Sequence, residues 1–161
     1  MELWDAYNTK LNKIDGMTLI RGQEVPDGVF HLVCEIIVRH ADGTYLLMQR
    51  DPGKHKGGMW EASAGGSALR GEDPLTCAIR ELFEETGIKA DRLTEVGLVV
   101  HHLHRSIFVD FLCETNVDKN SVVLQKGETS AYKWITAEEL RAMPRKELAS
   151  QRIMNFIEEL K

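Results

Sequence analysis

Apolar and β-branched residues recur along the first sixty positions in short runs that have the spacing of strands. Such runs occupy residues 3–7, 17–21, 29–39, 44–50 and 59–63, and glycine, proline and aspartate punctuate the chain between them. This pattern predicts strands joined by turns. The run at 29–39 is almost continuously apolar, which predicts a strand buried on both faces.

Two glycine-containing stretches decide how these strands connect. Asp42-Gly43 is typical of a hairpin turn, so the strands at 29–39 and 44–50 are predicted to pair antiparallel. Ala64-Gly65-Gly66 is predicted to be a tight, flexible corner after the strand at 59–63.

Helical signals first appear at residues 74–86. Asp73 can cap the amino terminus, Pro74 suits the first turn, and Gly87 can end the helix. The later predicted elements are strands at 92–105, 106–114 and 131–135, a short helix at 137–143 and a terminal helix at 147–160. Together they predict an α+β fold, an α/β/α sandwich with a mixed β-sheet between helices. Residues 1–161 are predicted to form a single domain with an extended amino-terminal segment at 1–28.

Composition narrows the possible partners. Hydrophobic residues make up 43% of the 161 positions, charged residues 28%, and the net charge is −5. These values are typical of a globular protein and argue against a basic surface for a nucleic acid polymer. The most apolar segment, residues 32–38, is too short to cross a membrane. Three isolated cysteines and an acidic start without an apolar leader predict free thiols and a cytoplasmic location. The extended amino-terminal strands allow a homodimer.

A helical wheel of residues 73–88 separates apolar from acidic positions. The predicted core-facing side holds Leu75, Ala78, Ile79, Leu82, Phe83 and Thr86. Glu81, Glu84 and Glu85 cluster on the other side, where like charges repel and the end of the helix dipole disfavours anions. A solvated acidic face and a site for a hard cation both remain compatible with this clustering.

The stretch Gly66 to Ile88, GSALRGEDPLTCAIRELFEETGI, separates these alternatives. It resembles the Nudix box at every fixed position: Gly66, Glu72, Arg80, Glu81, Leu82, Glu84, Glu85, Gly87 and Ile88. The chain is thus similar to Nudix hydrolases, enzymes that cleave diphosphate bonds with divalent metal ions, and the resemblance implies the Nudix fold.

The resemblance also implies roles for individual residues. Glu81, Glu84 and Glu85, with the carbonyl of Gly65, would bind Mg²⁺ or Mn²⁺. Arg80 would orient the glutamates, and Glu72 and Gly66 would support the loop and helix. The family's catalytic base is a box glutamate or a glutamate from a later loop. Glu128 is the candidate for the later loop, and Glu114 is a weaker competitor.

Basic and histidine side chains outside the box are further candidates for substrate binding. Arg50, Lys54 and Lys56 lie on or beside the loop that precedes the box, together with His55, and could bind terminal phosphates or be solvated. His101, His102 and His104 form a second cluster, for which a structural role is favoured over substrate contact.

A second resemblance concerns the runs WDAYN, RGQEVPDGVFHLVCEIIV and DGTYLLMQR. They are similar to Nudix proteins grouped near isopentenyl diphosphate isomerase. That isomerase has a cysteine where this chain has Ala62-Ser63-Ala64-Gly65, so a hydrolase is favoured. The isomerase and a non-catalytic, nucleotide-sensing Nudix module remain alternatives. The expected substrate is a nucleoside diphosphate, alone or linked to another group.

Overall fold

The computed structural model describes residues 1–90 and 92–160. The strands are β1 (Leu3–Tyr7), β2 (Lys13–Ile20), β3 (His31–His40), β4 (Tyr45–Arg50), β5 (Trp60–Glu61), β6 (Ala64–Ser67), β7 (Leu93–His101), β8 (Ser106–Thr115) and β9 (Thr129–Ile135). The helices are α1 (Pro74–Thr86), α2 (Ala137–Ala142) and α3 (Arg152–Glu159), and a 3-10 turn lies at Arg145–Glu147.

The central strand of the larger sheet is β3, which pairs in parallel with β8 over its whole length. Strand β7 pairs antiparallel with β8, and β6 pairs antiparallel with the first half of β3. Strand β4 pairs antiparallel with β5 and β9. The predicted mixed sheet is therefore confirmed.

The hairpin at Asp42-Gly43 is formed, but its strands separate at once. Gly43 has a φ of 88°, as the turn requires, and its backbone N–H donates to the carbonyl of His40 at 2.9 Å. Beyond the turn, β3 and β4 share only the pair Arg39 and Tyr45. The strands diverge because β4 pairs instead with β9 and β5, which opens the sheet where β5 and β6 lie.

Apolar side chains fill both faces of this sheet. Ile36 and Val38 of β3 pack with α1, whereas Ile37 between them packs with α2 and α3. Alternation along a strand produces this division, since successive side chains point to opposite faces. The predicted α/β/α sandwich is confirmed.

Local sequence signals set both ends of α1. The carboxylate of Asp73 accepts a hydrogen bond from the backbone of Thr76 at 2.7 Å. Gly87 has a φ of 73°, and its backbone N–H donates to the carbonyl of Phe83 at 2.8 Å. The predicted bounds, Pro74 to Thr86, are confirmed.

The predicted core face of α1 is partly wrong. Leu75, Ile79 and Phe83 are exposed by 46%, 45% and 50%, whereas Cys77 and Ala78 are fully buried. The helix turns its small residues towards the sheet because it packs closely against the glycine-containing strand β6.

Two other predicted segments differ from the structure. Residues 64–67 are not a flexible corner but strand β6, held by β3. The terminal helix begins at Arg152 rather than at residue 147. The preceding residues leave helical geometry because the backbone of Ala149 donates to the carbonyl of Trp60 at 2.8 Å.

The amino-terminal strands β1 and β2 form a separate two-stranded sheet. Trp4, Ala6, Leu19 and Val29 make its small core. Tyr7 bridges to Phe30, which joins this hairpin to the start of β3. In the part of the chain that the structure describes, no helix has both the length and the apolar character needed to cross a membrane.

Candidate active site

A cleft of about 400 Å³ opens beside the end of α1. Strands β4 and β5 lie on one side of it, and strands β6, β3, β8 and β7 lie on the other. Its volume is in the range of small-molecule sites. Its lining includes Glu35, Arg50, Lys54, Glu61, Gly65, Gly66, Glu85, His101, His104, Phe108 and Arg152. The fold thus brings together five of the site residues predicted from sequence: Arg50, Lys54, Gly65, Gly66 and Glu85.

The cleft surrounds the buried carboxyl group of Glu85 with other carboxylates. Burial raises its pKa well above the ordinary value, and the nearby carboxylates of Glu81, Glu61 and Glu128 raise it further. Lys54 lowers this pKa, by less than Glu81 or Glu61 raises it. A buried carboxylate among other carboxylates favours a proton or a cation beside it.

Arg80 holds the acidic helix and the preceding loop together. Its Nε donates to Glu72 at 2.7 Å, and its Nη1 donates to Glu81 at 2.7 Å and to Glu84 at 3.2 Å. Its Nη2 also reaches the carbonyl of Ser67 at 3.2 Å. These contacts lower the pKa of Glu72, whereas burial outweighs Arg80 and raises the pKa of Glu81.

Gly66 lies directly against the carboxylate of Glu81. A Cβ atom at Gly66 would stand 2.3 Å from Oε1 of Glu81. At Gly65 the corresponding Cβ would meet the backbone carbonyl of Cys34 at 2.9 Å. Gly66 therefore leaves space for the side chain of Glu81, whereas Gly65 leaves space for the backbone of the neighbouring strand β3.

We expect Gly66→Ala and Gly65→Ala to separate activity from stability. Gly66→Ala should displace the Glu81 carboxylate, which can move, and so lower hydrolysis by about tenfold or more with little change in stability. Gly65→Ala should lower the free energy of unfolding by about 1–3 kcal/mol, because backbone must shift. Turnover and urea unfolding of both variants measure this; equal stability losses would contradict it.

Two of the three basic residues predicted to bind phosphate, Arg50 and Lys54, line the cleft, whereas Lys56 does not. Arg50 pairs with Glu61 at 2.6 Å and also donates to the carbonyl of His55. Lys54 pairs with Glu128. Lys56 is not brought into the cleft: it has a left-handed φ of 56°, and its Nζ donates to the carbonyl of Ala149. The turn of the loop at Lys56 sends its side chain to a different part of the surface.

The two later glutamates also lie in different places. Glu128 is close enough to Glu85 to raise its pKa, and its backbone carbonyl accepts a hydrogen bond from Asp51 at 3.0 Å. Glu114 pairs instead with Arg39 at 2.6 Å, in a depression that contains neither Glu85 nor Gly65. The fold therefore places Glu128, and not Glu114, near the end of α1, the helix that carries the Nudix box.

Several cleft residues were not found from sequence. Glu61 is largely buried, and burial raises the pKa of its carboxyl group despite the ion pair with Arg50. Arg152 bridges Glu35 at 2.8 Å and Asp110 at 2.5 Å. Charged residues inside apolar strands, such as Glu35 and Asp110, were the available signal, because a buried charge needs a partner. Nothing in the sequence singled out Arg152.

Asp110 gives the site a pH-dependent contribution to stability. Burial raises its pKa from 3.8 to about 6; Arg152 lowers the pKa less strongly, and the negative charge of Glu35 raises it further. The folded state therefore binds this proton more tightly than the unfolded state. The stabilisation that protonated Asp110 contributes is complete below about pH 4 and is lost as pH rises through about 6.

We expect Asp110→Asn to be more stable than the original protein at pH 8 by about 1–2 kcal/mol, and this advantage to shrink by pH 5. Asparagine removes the desolvated charge while Arg152 keeps Glu35. Urea unfolding at both pH values is the measurement. Glu114→Gln, in an exposed ion pair, is the control and should not reproduce the gain. A difference that is independent of pH would contradict the assignment.

The donor chemistry of the cleft suits a hard divalent cation. Glu81, Glu84, Glu85 and the carbonyl of Gly65 offer only oxygen atoms, which Mg²⁺ and Mn²⁺ prefer. Within residues 1–90 and 92–160, no three His, Cys, Asp or Glu side chains are grouped so that they could hold a metal ion as they stand. Glu81 is turned to Arg80, and Glu84 is exposed. The fit therefore rests on the excess of buried negative charge around Glu85 and on a backbone carbonyl.

Comparisons with known proteins show the family and the fold. The NUDIX domain family matches residues 29–156. An uncharacterized Nudix hydrolase of Listeria monocytogenes is 33% identical over 146 residues, covering 89% of this chain and 85% of that protein. The CTP pyrophosphohydrolase of Escherichia coli is 32% identical over 123 residues, covering 72% of this chain and 82% of that protein. The crystal structure of DR0079 from Deinococcus radiodurans has a TM-score of 0.77 at 16% identity and covers 98% of each chain.

Nudix hydrolases are pyrophosphohydrolases that act on acid anhydrides in phosphorus-containing compounds. They act in general on nucleoside diphosphate derivatives and generally use divalent metal ions. The family match extends from the start of β3 into α3, so it includes both faces of the sandwich and the whole cleft. The chain therefore belongs to the Nudix hydrolase family.

Proposed function

We propose that the chain hydrolyses the diphosphate bond of a nucleoside diphosphate, or of a nucleoside diphosphate linked to another group, with Mg²⁺ or Mn²⁺. The observation that carries this proposal is the buried Glu85 carboxyl, which has other carboxylates as its main charged neighbours in a cleft that also contains Arg50 and Lys54. Excess negative charge next to basic side chains suits a cation and an anionic substrate together.

Glu81, Glu84 and Glu85, with the carbonyl of Gly65, would hold the metal. When bound, the cation neutralises phosphate oxygens and acidifies a water molecule. Arg80 restrains Glu81 and Glu84, and Glu72 restrains Arg80 in turn. These residues and Gly66 act on the reaction only through the position of the metal-binding carboxylates.

Arg50, Lys54 and Glu128 would act directly on the reactants. The guanidinium of Arg50 and the ammonium of Lys54 bind anionic oxygens of the diphosphate. A carboxylate oxygen of Glu128 accepts the proton of the attacking water. The new bond joins that water oxygen to phosphorus, and the bridging P–O bond breaks. Lys56 has no part here, because it lies outside the cleft.

Three coarser features belong to the same proposal. Residues 1–161 form one domain, since Leu3 and Tyr7 of the amino-terminal hairpin are bonded to the body of the protein. A cytoplasmic location is supported by the buried thiols of Cys34 and Cys77. Homodimerisation would use the exposed hairpin β1–β2, and light scattering of the purified chain tests it.

A Mg²⁺-dependent activity screen tests the proposed reaction. The substrates are nucleoside di- and triphosphates, sugar nucleotides, dinucleoside polyphosphates and isopentenyl diphosphate. Release of phosphate or a nucleoside monophosphate, abolished by EDTA, supports the proposal. Interconversion of isopentenyl and dimethylallyl diphosphates without phosphate release would favour the isomerase. Nucleotide binding without turnover of any substrate would favour a sensing module.

A further inference from the structure

The turn between β7 and β8 places two imidazole rings in the cleft. His101 and His104 both line it, and their rings are stacked with centroids 4.6 Å apart and an angle of 23° between planes. The backbone N–H of His104 donates to Nδ1 of His101 at 3.3 Å. We call these two residues the imidazole pair. It offers a flat π surface to the cleft.

The backbone that carries the imidazole pair is anchored on its far side. Arg105, at a left-handed φ of 49°, pairs with Asp27, and its carbonyl accepts a hydrogen bond from the backbone of His31 at 3.1 Å. The hydroxyl of Ser106 donates to the carbonyl of His104 at 3.0 Å. Because these contacts fix the turn, the stacked rings are held in place before any ligand arrives.

Two further planar groups line the cleft beside the imidazole pair. The ring of Phe108 lies 6.3 Å from that of His101, edge to face, and the guanidinium of Arg152 lies 4.1 Å over Phe108. Glu35 and Asp110 hold Arg152 in this position. Arg152 is thus a fixed planar cation, suited to packing against a ring.

The imidazole pair lies away from the candidate metal ligands. Gly65 is on β6 and His101 is on β7, and β3 and β8 lie between them. Three strand spacings correspond to about 14 Å. A diphosphate bound at Gly65 and Glu85 would leave the imidazole pair for another part of the same molecule.

We propose that the imidazole pair is the subsite for the planar base of a nucleotide, which stacks on the ring of His104 or His101. The substrate is then a nucleoside diphosphate derivative rather than an isoprenoid or inorganic diphosphate. The inference rests on the proposed function for the position of the phosphates. Stacking of a base on an aromatic side chain is strong and tolerates different bases.

Equilibrium binding of reaction-product mimics tests this inference without turnover. Isothermal titration calorimetry would compare AMP, GMP, CMP and UMP with ribose 5-phosphate, which lacks a base. The original protein should bind at least one nucleoside monophosphate on the order of tenfold more tightly than ribose 5-phosphate. His101→Ala and His104→Ala should lose that preference, whereas His104→Phe should keep it.

The matched control is His102→Ala. His102 lies in the same turn but packs edge-on against Phe30, and it does not line the cleft. Its variant should bind like the original protein. Circular dichroism verifies the fold of each variant. Because His104 is exposed, its substitution does not disturb the packing of the core. Equal affinity for ribose 5-phosphate and all four nucleotides would overturn the proposal, as would unchanged preference in both alanine variants.

The His104→Phe variant distinguishes stacking on the ring face from hydrogen bonding by the ring nitrogens. If His104→Phe behaves like His104→Ala, the ring nitrogens rather than the π face bind the ligand, and the proposal is wrong. Failure of the proposed function would appear differently. The protein would then show no Mg²⁺-dependent hydrolysis, while the preference for a base would still be measurable by calorimetry.

Discussion

Glu85→Gln should lower Mg²⁺-dependent hydrolysis by about 10²-fold or more while leaving the fold intact. Glutamine keeps the size of the side chain but removes the charge proposed to bind the metal. Because burial raises the pKa of Glu85, the charged form is unfavourable in the metal-free protein. The variant should therefore unfold at the same or a higher temperature without metal. Steady-state turnover and thermal unfolding measure both effects.

Metal-dependent stability provides a second measurement on the same variant. Millimolar Mg²⁺ should raise the melting temperature of the original protein, because a ligand that binds only the folded state stabilises it. The Glu85→Gln variant should show little of this shift. Glu138→Gln, an exposed carboxylate in the first turn of α2, is the matched control and should behave like the original protein. Unchanged turnover in Glu85→Gln would refute the metal-site assignment.

Arg80→Ala should have the largest effect on stability. The substitution leaves the carboxylates of Glu72 and Glu81 without their shared cation, and the side chains of both are only 14% and 13% exposed. We expect the free energy of unfolding to fall by about 2–3 kcal/mol, less than for a fully buried pair because Arg80 is partly solvated. Activity should fall as well, because Glu81 loses its restraint.

The control for Arg80→Ala is Arg141→Ala. Arg141 pairs with Glu158 at 2.5 Å, but both side chains are exposed by 40% or more. Its loss should cost less than about 1 kcal/mol. Arg80→Lys should recover only part of the stability, because one ammonium cannot reproduce the several directed donors of a guanidinium. A loss in Arg80→Ala no larger than that in Arg141→Ala would contradict the role of this network.

Local signals explain why α1 could be predicted in detail. Its cap at Asp73 and its end at Gly87 depend on residues within one turn of the helix, so the sequence contains all the information needed. The face that α1 buries could not be predicted in the same way. A wheel assigned Leu75, Ile79 and Phe83 to the core, whereas close packing on β6 favours the small Cys77 and Ala78.

Two other parts of the chain also combine a feature that local sequence predicts with one that depends on distant segments. The turn at Asp42-Gly43 follows from two residues, but the separation of β3 from β4 depends on the competing partners β5 and β9. Likewise, an apolar spacing predicted a helix across residues 147–160. In the structure that helix begins only at Arg152, because Ala149 is bonded to Trp60 in a distant segment.

By itself, the sequence determined the fold class, the box helix and its acidic cluster, because capping, periodicity and motif spacing are properties of neighbouring residues. Only the tertiary structure decided which residues share the cleft. It brought Glu61, His101 and Arg152 into the cleft beside α1, placed Glu128 near Glu85, and left Lys56 outside. Arg152 and Glu35 are 117 positions apart along the chain. Contacts over such separations depend on how strands and helices pack as a whole, which no local pattern of residues records.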